Sequence, residues 1–366
     1  MKLKIIIVTS IILSNLLSLN SKADIKDKAL NNFKRKHLQI VGSSTVYPFI
    51  ANIAEDFSRI EKLSDKNAKT PIVESNGTGG GFKLFCSGIG ELYPDFINAS
   101  RKIEISEIKY CESNKINIPI EIRIGYDGIV LAGKIINQQT AIIKNLSLDQ
   151  LFLALIAETP DENGRLEDNK YKKWNEINPQ LPNIPIRIYG PPTSSGTRDA
   201  FVELAIEKPC MNHQSFVKLY PDKNIRQKKC RVIRTDGVFI EAGENDNLII
   251  QKLINDEKAL GIFGFNFLQE NQNIITGIDI NNINPNIKNI TSQLYPISRP
   301  LFIYAKKEHL NYAYKMNDFI LEIIGNEHLG INGDLTVKGL IPLQNQELRI
   351  IKESIEKQIN YKNKIY

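Results

Sequence analysis

From Leu38 onward, short β-branched runs alternate with amphipathic helical runs across brief connections. That alternation confines the chain to an α/β class, with helices covering the faces of its sheets. Leu38–Val41, Ile72-Val73, Asp95–Ser100 and Ile122–Lys134 read as strands, the last with a kink at Asp127-Gly128. "ALGIFGFNFL" and "QLYPISRPLFIYAKK" read as later extended runs. In "YPFIANIAEDFSRIEK" the residues Phe49, Ile50, Ile53, Ala54, Phe57 and Ile60 recur at helical spacing. "FKLFCSGIG", "LSLDQLFLALIAE", "DAFVELAIEK", "YKMNDFILEII" and "LRIIKESIEKQI" are further helical segments. No internal repeat and no low-complexity linker interrupts them.

The chain opens with Lys2 and Lys4, an apolar stretch from Ile5 to Leu19, and small residues at Ser21 and Ala23. This is the layout of an export signal cleaved after Ala23. The apolar stretch is short for a transmembrane span, and no Cys follows to take a lipid. The net charge of +6 includes Lys2, Lys4 and Lys22, so the mature chain carries about +3, too mild to point to nucleic acid. Four cysteines, Cys86, Cys111, Cys210 and Cys230, all follow the signal. In an oxidising compartment they suggest two disulfides, of which Cys86–Cys111 with Cys210–Cys230 is the simplest of three connectivities. No CxxC pair exists and the four histidines are scattered, so neither zinc nor another cofactor is indicated. Roughly 340 residues beyond the signal exceed a usual single core, which favours two domains.

Three turns share one chemistry: Gly42-Ser43-Ser44-Thr45, Gly77-Thr78-Gly79-Gly80-Gly81 and Thr193-Ser194-Ser195-Gly196-Thr197. Each follows a strand candidate and opens a helix candidate. Helix starts carry unpaired N–H groups and partial positive charge, glycine permits close backbone approach, and hydroxyls add donors that rotate to suit. One such turn alone is an ordinary Ser/Thr cap. Three together favour a tetrahedral oxyanion held mainly by neutral dipoles.

Enzyme signatures fail. No P-loop is present, Gly77–Phe82 breaks the GxGxxG pattern at its last place, and Ser194 would be a nucleophile elbow only if Pro192 were glycine. No metal cluster or positioned base accompanies the serines, which weakens an exported phosphatase reading.

In this order the turns resemble the periplasmic phosphate-binding protein of the high-affinity phosphate ABC transporter. "SNGTGGGF", the run Ser195-Gly196-Thr197-Arg198, "ISRPLFIY" and "GLIPL" carry the likeness across nearly the whole mature chain. The resemblance implies a type II periplasmic binding-protein fold: two α/β lobes joined by two crossover strands, with the ligand in the cleft. On that layout 1–23 is the signal peptide and 24–37 an N-terminal arm, loose at least to Lys36. Residues 38–127 plus 300–366 form one lobe and 128–299 the other, with crossovers at 122–131 and 295–305. The implied function is capture of inorganic phosphate for a membrane ABC permease, by a monomeric periplasmic protein that is not an enzyme. Ser44, Thr45, Thr78 and Gly79 supply one lobe's contacts and Ser195, Gly196 and Thr197 the other's. Receptors for sulfate, molybdate or tungstate are the alternative.

Two departures from the family pattern stand out. Where one form carries an Asp that accepts the proton of hydrogen phosphate, this chain has Arg101, leaving Asp127 as the candidate acceptor, with Glu74 and Asp236 behind it. Where that form has an Arg four residues before Ser195, this chain has Pro191, so Arg198 or Arg101 must supply the charge.

Overall fold

In a computed structural model of the protein, residues 34–136, 140–161, 163–243 and 245–360 are described. The proposed signal peptide and the arm as far as residue 33 lie outside them. Along the chain run β1 (Gln39–Gly42), α1 (Tyr47–Ser64), β2 (Ile72–Ser75), α2 (Thr78–Phe85), β3 (Phe96–Ala99), α3 (Ile105–Ser113) and β4 (Ile120–Lys134). There follow α4 (Leu148–Leu155), β5 (Ile188–Gly190), α5 (Gly196–Phe201), a π-helical stretch Val202–Glu207, α6 (Lys208–Asn212), α7 (Lys223–Cys230) and β6 (Phe239–Glu241). The main later elements are α8 (Asp246–Asn255), β7 (Leu260–Gly264), β8 (Ile275–Gly277), β9 (Ser298–Ala305), α9 (Met316–Ile323) and α10 (Asn345–Asn360).

These elements form two compact units. Unit 1 holds the chain to Ile124 with Leu301–Gly333 and the segment from Gln344; unit 2 holds Gly125–Pro300 with Asp334–Leu343. The boundary therefore falls twice inside a strand, in β4 and in β9. Asp334–Leu343, expected with the first lobe, groups with unit 2 because Ile341 bridges Tyr126.

In unit 1, β1 lies between β2 and β3, parallel to both, and β9 closes antiparallel on β3. The helical spacing read in α1 is real: Phe49, Ile50, Ile53, Ala54 and Phe57 are buried, and Pro48 sits in its first turn, where a missing N–H costs nothing. Phe57 and Phe96 meet Phe319 edge-on at ring distances of 5.1 and 5.3 Å. Each buried aromatic contributes about 1.5–3 kcal/mol by transfer from water. A second cluster, with Phe82, Phe85, Ile97 and Phe302, surrounds the Cys86–Cys111 disulfide.

Unit 2 repeats the plan. β5 lies between β6 and β7, parallel to both, and β4 pairs antiparallel with β7 and β8. Cys210–Cys230 ties α6 to α7. The cysteines are thus paired with their nearest neighbours, one bridge per unit.

Three local expectations change. β4 runs unbroken through Asp127 and Gly128, so the expected kink does not interrupt the strand. α2 starts at Thr78, which puts the glycines inside the helix rather than ahead of it. The arm is anchored before β1: the Arg35 guanidinium forks onto the buried Asp95 carboxylate at 2.9 and 3.0 Å. Asp95 also accepts from the Gln39 N–H at 2.8 Å and lies 2.8 Å from His309 Nδ1. The Gly90 N–H donates to His309 Nε2, which leaves the proton on Nδ1, and burial lowers the imidazole pKa. Among the described residues no helix is long and apolar enough to cross a membrane.

Candidate functional site

In a parallel sheet, a ligand crevice opens beyond the carboxyl ends of strands where the chain switches direction about the first strand. Unit 1 has that switch between β1 and β3, and unit 2 has it between β5 and β7. The first and third turns follow β1 and β5, at these switches, and the second follows β2, beside β1.

In unit 1 the first two turns meet. Gly42 has φ +137°, and a Cβ there would lie 2.0 Å from the Asn98 carbonyl oxygen. A Cβ on Gly81 would lie 2.7 Å from the Gly42 Cα, so the first turns of α2 press directly on the end of β1. Only glycine fits either place, which explains a helix start that ignores glycine's poor propensity. The end of β3 joins them: Thr78 Oγ1 lies 3.1 Å from Ser100 Oγ and accepts the Ser100 N–H at 3.2 Å. Ser44 and Thr45 lie half-buried in the turn between β1 and α1. Beneath them Asn98 is fully buried, and its side-chain amide has no hydrogen-bond partner among the described residues.

Arg101 reaches this mouth already neutralised. Its guanidinium lies 3.9 Å from where a Gly79 Cβ would stand. It donates to both Glu107 carboxylate oxygens at 2.9 and 2.8 Å, with Glu104 at 3.5 Å.

Unit 2 presents the third turn after β5. Ser195 occupies the N-cap position of α5 in extended conformation, and its side chain makes no cap hydrogen bond. Gly77 and Val46, the caps of α2 and α1, have no side-chain acceptor to offer. Ser147, Asp222, Asn245 and Asn286 each accept a first-turn N–H, whereas helices opening at His213, Gly264 and Gly325 also lack a side-chain cap. At none of the three mouths does the cap residue's side chain accept a helix N–H, and the helix dipole there still favours an anion.

Behind Thr197, Arg198 is buried, with its guanidinium over the Phe239 ring at 3.9 Å. Burial lowers its pKa, opposed by the charge of Glu241. Pro191, in the place of the family Arg, is buried and only its carbonyl takes part, accepting from Arg198 at 3.5 Å.

Asp127 sits in β4 with 20% side-chain exposure, 3.4 Å from Arg299 Nε. Arg299 also holds Glu203 of the π-helical stretch at 2.8 Å. Burial raises the Asp127 pKa, Arg299 opposes the rise and the Glu203 charge adds to it. Of the reserve carboxylates, Asp236 is committed to Arg234 and Lys172, which hold its pKa far below the usual range. Glu74 is exposed on β2.

The residues that sequence reading passed over are Ser100, Phe239, Glu203 and Arg299. Ser100 had a signal, a hydroxyl at the end of a strand. The other three depend on tertiary contacts across more than thirty residues.

A family model described as a PBP superfamily domain matches residues 28–327. Protein SphX of Synechococcus elongatus is 30% identical over 275 residues, covering 73% of this chain and 67% of that protein. The phosphate-binding protein PstS of Staphylococcus saprophyticus is 28% identical over 284 residues, covering 76% and 73%. The crystal structure of a possible phosphate binding protein from Planctomyces limnophilus superposes with a TM-score of 0.67 at 26% identity, over 89% of this chain and 98% of that one. With the family model spanning most of its length, the chain belongs to the PBP superfamily, a family of binding proteins rather than enzymes.

Proposed function

We propose that the protein captures inorganic phosphate and delivers it to an ABC-type permease, after export to the periplasm and cleavage at Ala23. The observation that carries this reading is that each unit sets glycine- and hydroxyl-rich helix starts at the carboxyl ends of its parallel strands. Ser44, Thr45, Thr78 and Gly79 donate to the ligand from unit 1, with Arg101 beside them. Ser195, Gly196, Thr197 and Arg198 donate from unit 2. Neutral donors spread the ligand charge without leaving bare ion pairs to desolvate. Asp127 accepts the ligand proton, which phosphate carries and sulfate lacks.

The reading is supported by the names of the relatives, which include phosphate-binding proteins. Equilibrium binding of radiolabelled phosphate to the purified protein, with sulfate as competitor, tests it. Saturable binding that sulfate does not displace is the expected result. No binding at millimolar phosphate sinks the proposal, and equal displacement by sulfate removes Asp127 as the selector in favour of a general oxyanion receptor.

A further inference from the structure

Unit 2 contains a buried cation with no carboxylate within ion-pair distance among the described residues. Arg198 is 8% exposed, and among the described residues its one side-chain hydrogen bond is to the Pro191 carbonyl at 3.5 Å. Its two guanidinium neighbours are satisfied: Arg231 by Asp199 and Glu207, Arg234 by Asp236. Leaving a guanidinium desolvated without a carboxylate partner is costly, and stacking on Phe239 offsets only part of that cost.

Arg198 lines a recess of about 440 Å³. Val202, Ile233 and Phe239 give its carbon surface, Thr193 and Thr235 its hydroxyls, and the ion-paired Asp199, Arg231 and Arg234 line it with Glu241, which lies beyond ion-pair distance of Arg198. The recess adjoins the third mouth, because Thr193 and Arg198 flank the turn Ser195–Thr197. Its volume falls in the range of small organic ligands and exceeds what a bare tetrahedral ion fills. The carbon walls of Val202, Ile233 and Phe239 offer such an ion nothing.

We propose that this recess receives the organic part of a substituted phosphorus oxyanion, a phosphonate or phosphomonoester with a small apolar group. Arg198 meets the anionic oxygens and the substituent packs against Val202, Ile233 and Phe239. The proposal rests on the phosphate reading above and widens its ligand class.

The test is displacement of radiolabelled phosphate by methylphosphonate, phenylphosphonate and phenyl phosphate, on the full mature chain. Thr235 is exposed at the recess, so Thr235→Trp narrows it without disturbing a core; Thr235→Gln replaces it if melting shows damage. Phenylphosphonate is expected to displace phosphate within about tenfold of the concentration at which unlabelled phosphate does. The filled variant should keep phosphate affinity and weaken phenylphosphonate by about tenfold or more. If phosphate binds but no organic competitor displaces it at about thousandfold excess, the recess proposal is overturned and the phosphate reading stands. Equal phenylphosphonate affinity in wild type and filled variant also overturns it. If phosphate itself does not bind, that reading falls, and direct titration with phenylphosphonate decides the recess alone.

Discussion

The two units solve the same problem with the same backbone plan and opposite treatment of charge. In each, the first strand of the unit's parallel core is flanked by the two that follow it, and a glycine and hydroxyl turn opens a helix at its carboxyl end. In unit 1 the arginine at the mouth is held by carboxylates of its own neighbourhood, Glu107 and Glu104. In unit 2 the arginine is buried against an aromatic ring without such a partner. A mouth can therefore be neutral in effect or cationic with nearly the same sequence vocabulary. The difference is set by which arginine the nearby acids hold: Glu107 turns to Arg101, whereas Asp199 and Glu203 pair with Arg231 and Arg299.

The largest effect expected from probing this comparison is on stability. Each unit has its own disulfide, and removing one costs about 2–5 kcal/mol. Cys86→Ser with Cys111→Ser should lower the unfolding temperature of unit 1, and Cys210→Ser with Cys230→Ser that of unit 2. Calorimetry should then show the altered unit melting ahead of the other. A single transition shifted equally by both pairs would break the picture of two separately stabilised units.

Next comes the contrast between the arginines. Arg198→Gln should weaken phosphate binding about a hundredfold, the loss of a charged hydrogen bond worth about 2–3 kcal/mol. Arg101→Gln should cost about tenfold or less, since Glu107 already spends most of its charge. Equal losses would erase the distinction. Smaller again is the comparison of caps: Ser147→Ala should cost about 1 kcal/mol of stability. Ser195→Ala should leave the melting temperature unchanged and reduce phosphate affinity about fivefold. A stability loss at Ser195 would return that turn to the ordinary cap it resembles.

Much of this was legible in the residues. The alternation of segments predicts the α/β class, and the three turns lie at strand ends as their composition implies. The start of α2 was misjudged because glycine disfavours helix, and only the contact of Gly81 with Gly42 shows why glycine is there. Arg35 was read as part of a loose polar arm, since its partner Asp95 lies sixty residues away. A kink is expected at Asp127-Gly128, yet strand pairing continues through both. Sequence spacing reports local periodicity well; it cannot report which distant carboxylate meets which guanidinium.

Asp127 gives the smallest and most specific prediction, because its environment has no counterpart in unit 1. Arg299 is closer to Glu203 than to Asp127, 2.8 against 3.4 Å, so burial outweighs the guanidinium and raises the Asp127 pKa. Between the unfolded value near 3.9 and that raised value, the folded state holds a proton that the unfolded chain releases. Stability contributed by this group is therefore full at low pH and is lost as pH rises through the folded pKa. Asp127→Asn removes the titration, so the variant should gain on the wild type between about pH 3.5 and pH 7 in denaturant unfolding. A constant difference across that range would mean that the carboxyl titrates as it does in the unfolded chain. At neutral pH the same substitution should let sulfate compete with phosphate, since an amide can donate to sulfate where a carboxylate would repel it. If stability follows pH as expected but selectivity does not change, Asp127 is a buried acid of the fold, and the ligand's proton is read elsewhere.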